Sequence, residues 1–362
     1  MKLLLILIVF IFISCKSQQE EYICTPCDLP CDELAFSDPG ICPHCSMDLI
    51  KKSELVSEEK LVLNKIDIQE GSGVFLIEGG QSKRDKTIEV HYHRPKDFNT
   101  DSKILIVIPG AGRNADSYRN SWIEASEKFN VLVLSLMYGE EDYYYGAYHL
   151  GNLMKNLNLA NSVEYDKNSN NVFLNEDEFS AEVNLDSEQW IFKDFDRIFK
   201  LVVDELDSSQ TEYDIFGHSA GGQILHRFAI FQPTSKANRI VAANSGSYTL
   251  PDFDTDLPFG VKNAGLAKEN IKLSFKKNLT LFIGELDNEN ENGGLLLRST
   301  TADKQGLHRL ARGTHFYEKS KRLARDLDCD FNWELKIVPG VGHNQKGMSK
   351  AAANLLYGSD KN

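Results

Sequence analysis

The sequence predicts an α/β protein with a mostly parallel central sheet, and three observations carry that expectation. Short runs rich in Ile, Leu and Val recur: Ile104–Ile108, Val131–Leu136, Tyr213–Phe216, Leu279–Ile283 and Leu335–Val338. Such runs suit strands buried on both faces. Between them lie stretches with helical spacing of apolar residues, at Ala115–Lys128, at Gln189–Leu206 and after Ser219. Finally, several of these strands end in glycine-bearing turns that hold reactive side chains. Strand and helix in alternation give a layered fold whose strand ends collect the chemistry.

At the N-terminus, Met1-Lys2 precedes the apolar run Leu3–Ile13, which predicts a secretory signal over 1–14, too short to anchor as a span. It ends Phe12-Ile13-Ser14-Cys15. A small residue before Cys resembles a bacterial lipobox, and that resemblance implies cleavage before Cys15 and lipidation of its thiol. Residues 15–21 then form a polar tether, and Lys16 in place of Asp implies the outer membrane of a Gram-negative bacterium. The alternative is an ordinary cleaved signal with an incidental Cys.

Residues 22–52 hold Cys24-Thr25-Pro26-Cys27 and Cys42-Pro43-His44-Cys45. Two C-x₂-C pairs fourteen residues apart match zinc-ribbon spacing, because each turn offers two thiolates and two turns complete a tetrahedron. Cys24, Cys27, Cys42 and Cys45 are therefore the candidate ligands of zinc or another heavy metal, with Cys31, His44 and Met47 as possible extras. The segment resembles a small heavy-metal-binding domain found near bacterial efflux proteins, from Asp38-Pro39-Gly40 through Met47 and Leu49, with Cys27 where that family has His. In an oxidising exterior the same thiols offer disulfides instead.

Residues 60–358 form the expected main domain. Leu61–Ile68, Val74–Ile77 and Thr87–Tyr92 read as a leading antiparallel sheet. His91 and His93 share one strand face and, lacking a third ligand nearby, point to a surface or packing role. Ile104–Ile108 opens into Pro109-Gly110-Ala111-Gly112, where backbone N–H groups of Ala111 and Gly112 can face a developing oxyanion. An insertion near 138–188 breaks the alternation. It carries Tyr138, Tyr143, Tyr144, Tyr145 and Tyr148, and eleven Asp or Glu against two Lys. It either caps a pocket or packs on its own aromatics.

Tyr213-Asp214-Ile215-Phe216 runs into Gly217-His218-Ser219-Ala220-Gly221. Exposing a hydroxyl at a sheet edge needs a sharp strand-to-helix turn, hence the glycines, and the following helix aims positive N–H groups at the same spot. Ala220 supplies a further oxyanion donor. Asp287 follows the strand Leu279–Gly284, with Glu285 as a competing acid, and His343 follows Leu335–Val338. Ser219 as nucleophile, His343 as base and Asp287 as its orienting acid make a complete acyl-transfer set with no cofactor required. In the basic stretch Arg298–Arg325, Arg309 and Arg312 can receive a substrate carboxylate, or belong to a solvated helix, or pair with the acidic insertion. Cys329 reads as a buried free thiol, and Ser349–Leu356 as a helix packed on the sheet.

The order Ser219, Asp287, His343 is that of the α/β-hydrolases. Through Pro109–Trp122, Gly217–His226, Phe282–Asp287 and Val338–His343 the chain resembles α/β-hydrolase-fold serine hydrolases, above all bacterial esterases of the poly(3-hydroxybutyrate) depolymerase-like group. The oxyanion loop departs by starting Pro-Gly-Ala-Gly where many relatives have His-Gly. The resemblance implies a serine ester hydrolase acting on a small-molecule or polymeric ester. The formal net charge of −13 argues against nucleic acid as a partner. The competing class is a non-catalytic metal-binding lipoprotein that uses the fold as a docking body.

Overall fold

The computed structural model describes residues 21–24, 34–44, 47–51 and 62–358. The chain divides into two units, 1–59 and 60–362. In the first, strands β1 (Tyr22–Cys24), β2 (Ala35–Phe36) and β3 (Leu49–Lys51) form an antiparallel sheet in the order β2-β1-β3. Cys24 and Cys42 are buried in one small cluster with Phe36, Met47 and Leu49, while His44 is exposed. The expected leader at 1–14, Cys15, Cys27, Cys31 and Cys45 lie outside the described residues. Among the described residues no group of three or more His, Cys, Asp or Glu stands ready to hold a metal, and no helix is long and apolar enough to cross a membrane.

The second unit begins with β4 (Gly71–Glu78), β5 (Thr87–Arg94) and β6 (Lys103–Ile108). Residues 62–70 form no strand, so the expected strand at Leu61–Ile68 does not exist in its described part. Ile68 is nevertheless buried, and it packs as a loop residue against the main core. Helices α1 (Ala115–Asn120) and α2 (Ile123–Phe129) replace the single expected helix, broken around Ser121 and Trp122. Strand β7 (Val131–Tyr138) ends where the insertion starts. The insertion holds α3 (Tyr145–His149), β8 (Met154–Lys155), α4 (Leu159–Ser162), β9 (Val163–Tyr165), β10 (Asn171–Leu174) and β11 (Glu182–Val183).

The alternation then resumes with α5 (Phe192–Glu205), β12 (Tyr213–His218), α6 (Ala220–Phe231), β13 (Ala237–Ala243), α7 (Lys268–Phe275) and β14 (Asn278–Gly284). It closes with β15 (Leu296–Arg298), α8 (Thr300–Gln305), α9 (Arg309–Asp326), β16 (Glu334–Val338) and α10 (Gln345–Tyr357). Eight strands make one sheet in the order β16-β14-β13-β12-β6-β7-β5-β4, antiparallel at the β7-β5-β4 edge and parallel elsewhere.

Strand side chains alternate between faces, and the two faces build two cores. Ile104, Ile106, Ile215, Ile240 and Leu281 join one cluster with α5, α6 and α7 residues such as Phe195, Phe228 and Phe275. Leu105, Val107, Phe216 and Val241 join the other with Trp122 and the α10 residues Met348, Ala352 and Leu356. Helices thus cover both sides, as a parallel sheet requires.

The crossing of β6, β12 and α6 is tightly packed. A Cβ at Gly221 would overlap the backbone oxygen of Ile108 and sit 2.8 Å from that of Pro109, and one at Gly217 would sit 2.5 Å from Gly221 O. Those obstacles are main chain, at the end of β6 and in the first turn of α6, so neither can swing aside as a side chain would. Gly221→Ala is expected to lower stability by about 1–3 kcal/mol, the usual scale of overpacking. Urea denaturation checks it; an unchanged midpoint would contradict the described approach.

Candidate active site

Ser219 sits at the turn from β12 into α6, with φ 58° and ψ −114°. This is a costly backbone region for a residue with a side chain. The turn is held because Ser219 N donates to Ala243 O at 2.9 Å on the neighbouring strand, while Ser219 O accepts from Gln223 N. Its hydroxyl meets His343 Nε2 at 3.1 Å. On the other side of the imidazole, Nδ1 lies 2.8 Å from Asp287 Oδ2. An ionised carboxylate only accepts, so Nδ1 carries the proton and Nε2 is left to accept from the serine. Three side chains spread over more than a hundred residues of sequence form one continuous chain.

Each is delivered by a strand end. Asp287 follows β14, where its N–H donates to Gly284 O. His343 follows β16 on the loop 339–344, whose N–H at Gly340 donates to Glu285 Oε2 at 2.8 Å. Glu285 is exposed and fastens that loop, whereas the imidazole meets Asp287. The buried Asn244 joins three elements: its Oδ1 accepts from Gly284 N at 2.8 Å and its Nδ2 donates to Gly342 O at 3.0 Å. Glu291 accepts from His343 N at 2.6 Å and from Gly293 N at 2.7 Å.

Asp287 is fully buried, and its second oxygen accepts from Arg309 Nη1 at 3.0 Å. Arg309 Nη2 also donates to Gly294 O and Leu295 O at 2.8 and 2.9 Å. This overturns both the solvated helix and the substrate-facing pair that the sequence offered. Arg309 and Arg312 are 2% and 0% exposed, and Arg312 is spent on Gly246 O, Gly306 O and Asp303 rather than on the acidic insertion. Helix α9 turns both guanidiniums inward with Phe316 and Ser320, which the sequence pattern alone does not show.

The segment 291–298 passes close over the imidazole. A Cβ at Gly294, whose φ is +60°, would stand 2.6 Å from both His343 Cδ2 and Nε2. Asn170, from the insertion, donates to Gly294 O at 3.0 Å, and β10 pairs in parallel with β15 just beyond. The insertion is therefore part of the wall beside His343.

The loop after β6 lies against the serine. A Cβ at Gly110 would be 3.5 Å from Ser219 Cβ. Ala111 and Gly112 follow on an exposed turn closed by Arg113 N donating to Gly110 O, and Ala220 starts α6, where first-turn N–H groups have no acceptor within the helix. Tyr148 Oη donates to Pro109 O at 2.7 Å, and Arg113 Nη1 donates to Tyr138 O and Tyr143 O at 2.7 and 2.5 Å. So Tyr138, Tyr143 and Tyr148 are buried braces for this loop, whereas Tyr144 and Tyr145 are exposed.

His93 is held by Ser72 and Glu127 and His91 by Glu89, in accord with packing. Cys329 is only half-buried, because it lies just past the end of α9 near the surface. A separate cavity of about 400 Å³ is lined by Asp252, Thr301, Lys304, His315 and Arg322 among others, and by none of Ser219, Asp287 and His343.

No family model and no curated protein matches the chain. Among solved structures it is similar to poly(aspartic acid) hydrolase-1 from Sphingomonas sp. KT-1, at 32% identity over 80% of this chain and 100% of that one, TM-score 0.67. The chain belongs to the α/β-hydrolase-fold serine hydrolases. A second similar structure is LpqC, a poly(3-hydroxybutyrate) depolymerase from Bordetella parapertussis, at 26% identity over 80% of this chain and 90% of that one, TM-score 0.68. The protein is accordingly an enzyme with hydrolase activity, of a fold that needs no cofactor for catalysis.

Within this hydrolase, burial pushes the His343 imidazole below its ordinary range, Arg309's charge adds to that, and the bond to Asp287 only partly offsets them. The neutral form therefore persists below pH 6.5 and is lost only as pH falls through the lowered value. Replacing Arg309 by Met removes a repelling cation and should raise the His343 pKa, whereas Asp287→Asn removes the attracting anion and should lower it. Titration of the labelled imidazole by NMR reads both; a fall in Arg309→Met would contradict the assigned balance.

Proposed function

We propose that this enzyme is a carboxylic ester hydrolase working through a Ser219–His343–Asp287 triad. The hydrogen-bonded chain from Ser219 through His343 to a buried Asp287 carries the proposal. His343 takes the serine proton through Nε2 as the hydroxyl oxygen attacks the ester carbonyl. Asp287 holds the imidazole tautomer and stabilises the imidazolium. The negative charge that develops on the carbonyl oxygen is met by N–H groups of Ala220 and of Ala111 or Gly112, with the α6 N-terminus adding its dipole. His343 then returns the proton to the departing alkoxide, and water repeats the sequence on the acyl-enzyme. The Gly110 loop packed against Ser219 supports this placement of donors.

The substrate class is a small-molecule or polymeric ester. One observation favours a second reading, hydrolysis of an amide in a carboxylate-bearing polymer: the 32% identity to a poly(aspartic acid) hydrolase across its whole length. We further propose that Cys15 tethers the enzyme by acyl chains at the outer membrane of a Gram-negative bacterium, and that Cys24, Cys27, Cys42 and Cys45 share a metal. The burial of Cys24 and Cys42, the first cysteine of each pair, in one cluster fits such a set. The docking-body alternative has no need of a complete triad.

Steady-state hydrolysis of short-chain p-nitrophenyl esters tests the function. Ser219→Ala and His343→Ala should each lose about 10⁴-fold or more in kcat, the scale for removing a triad member. Retained turnover in Ser219→Ala would overturn the proposal.

A further inference from the structure

Helix α6 presents Ser219, Gln223 and Arg227 at four-residue intervals, so the three stand in a row along one face. The Cα atoms of Ser219 and Arg227 are about 12 Å apart at helical rise, and side chains on a helix lean toward its N-terminus, back toward the serine. Arg227 is 1% exposed, yet among the described residues no carboxylate meets it. Nε donates to Thr249 Oγ1 at 2.8 Å, and Nη1 donates to His149 O at 2.9 Å and Gln223 O at 3.2 Å. Among the described residues Nη2 has no acceptor, and it is not sealed from solvent. A cation kept from water with only neutral partners is costly, and the protein leaves one of its donors open.

Among the described residues the surroundings supply further donors and no anion. Ser247 Oγ donates to Gln223 Oε1 at 3.1 Å, which leaves the Gln223 Nε2 as the open end of that amide. The His149 ring stacks on Tyr145 with centroids 4.2 Å apart. Burial and the charges of Arg113 and Arg227 push His149 down to about 3, so it is neutral at any working pH. Tyr145 is 43% exposed and feels the Arg227 charge.

We propose that Arg227, with Gln223, His149 and Tyr145, forms a subsite for a carboxylate carried by the substrate, set beyond the bond that Ser219 attacks. One guanidinium among neutral donors suits a planar monoanion, which Arg grips through paired N–H groups; a phosphate dianion would leave a net charge buried. Arg309 and Arg312 are not available for this role, since those two are consumed by Asp287 and Asp303. The subsite rests on the ester-hydrolase function proposed above.

The full chain is assayed on mono-p-nitrophenyl adipate and p-nitrophenyl hexanoate, of equal acyl length, each corrected for its uncatalysed rate. The charged ester should show a kcat/KM about 10- to 100-fold higher, the range of a charge-assisted hydrogen bond. Free adipate should compete against hexanoate hydrolysis. Arg227→Gln should bring the charged-to-neutral ratio toward one, and Gln223→Ala should reduce it by a smaller factor. Equal or lower kcat/KM for the charged ester in the wild type overturns the subsite, whether or not Arg227→Gln folds. Should neither ester be turned over, the ester-hydrolase function fails by itself. Adipate protection of Ser219 from a fluorophosphonate then decides the subsite separately: protection supports it and its absence overturns it.

Discussion

A buried carboxylate must have its charge answered, and at Asp287 two groups answer it. Oδ2 receives the imidazole of His343 and Oδ1 the guanidinium of Arg309. With both oxygens engaged and no solvent access, the carboxylate has one orientation, and that orientation aims His343 Nε2 at Ser219. The guanidinium plays two parts, since it also grips the carbonyls of Gly294 and Leu295 that lie over the imidazole. Charge, position and the roof above the ring are tied to one residue. Removing one member of a buried pair leaves the other uncompensated, which makes this the least replaceable contact around the site.

The rest of the molecule holds the strand ends still. Packing on both faces of the sheet leaves β12 and β14 no freedom to slide, and Asn244 clips the ends of β13 and β14 to the His343 loop. The insertion fits this role as well. Its first tyrosines brace the Pro109–Gly110 turn, and its β10 strand pairs with β15 next to Gly294. What interrupts the fold in sequence therefore supports the site from two sides. The same insertion contributes Tyr145 and His149, so it is placed to shape what reaches the serine.

Much of this was legible from sequence because the signals are local. Uniformly apolar runs mark doubly buried strands, and the turn chemistry at their ends names Ser219, Asp287 and His343 in order. The preference for Asp287 over Glu285 followed from distance to the strand, and burial agrees with it. The residues that escaped prediction act through tertiary contacts. Arg309 and Arg312 lie in a basic helix, which reads as solvated until its partners Asp287, Gly246 and Asp303 are known. Asn244, Glu291 and Asn170 are ordinary loop polars in sequence, and the paired Gly293-Gly294 is a local signal that could have marked the close approach. Leu61–Ile68 failed as a strand because an apolar residue such as Ile68 can be buried from a loop.

The proposed nucleophile is the claim on which the chemistry turns, and a fluorophosphonate bonds only to a serine already activated by its base. Intact and peptide mass spectrometry of the labelled full chain measures this directly. The account predicts a single adduct on the peptide containing Ser219, formed more slowly in Asp287→Asn. An adduct on a different serine, or none from folded protein, would contradict it.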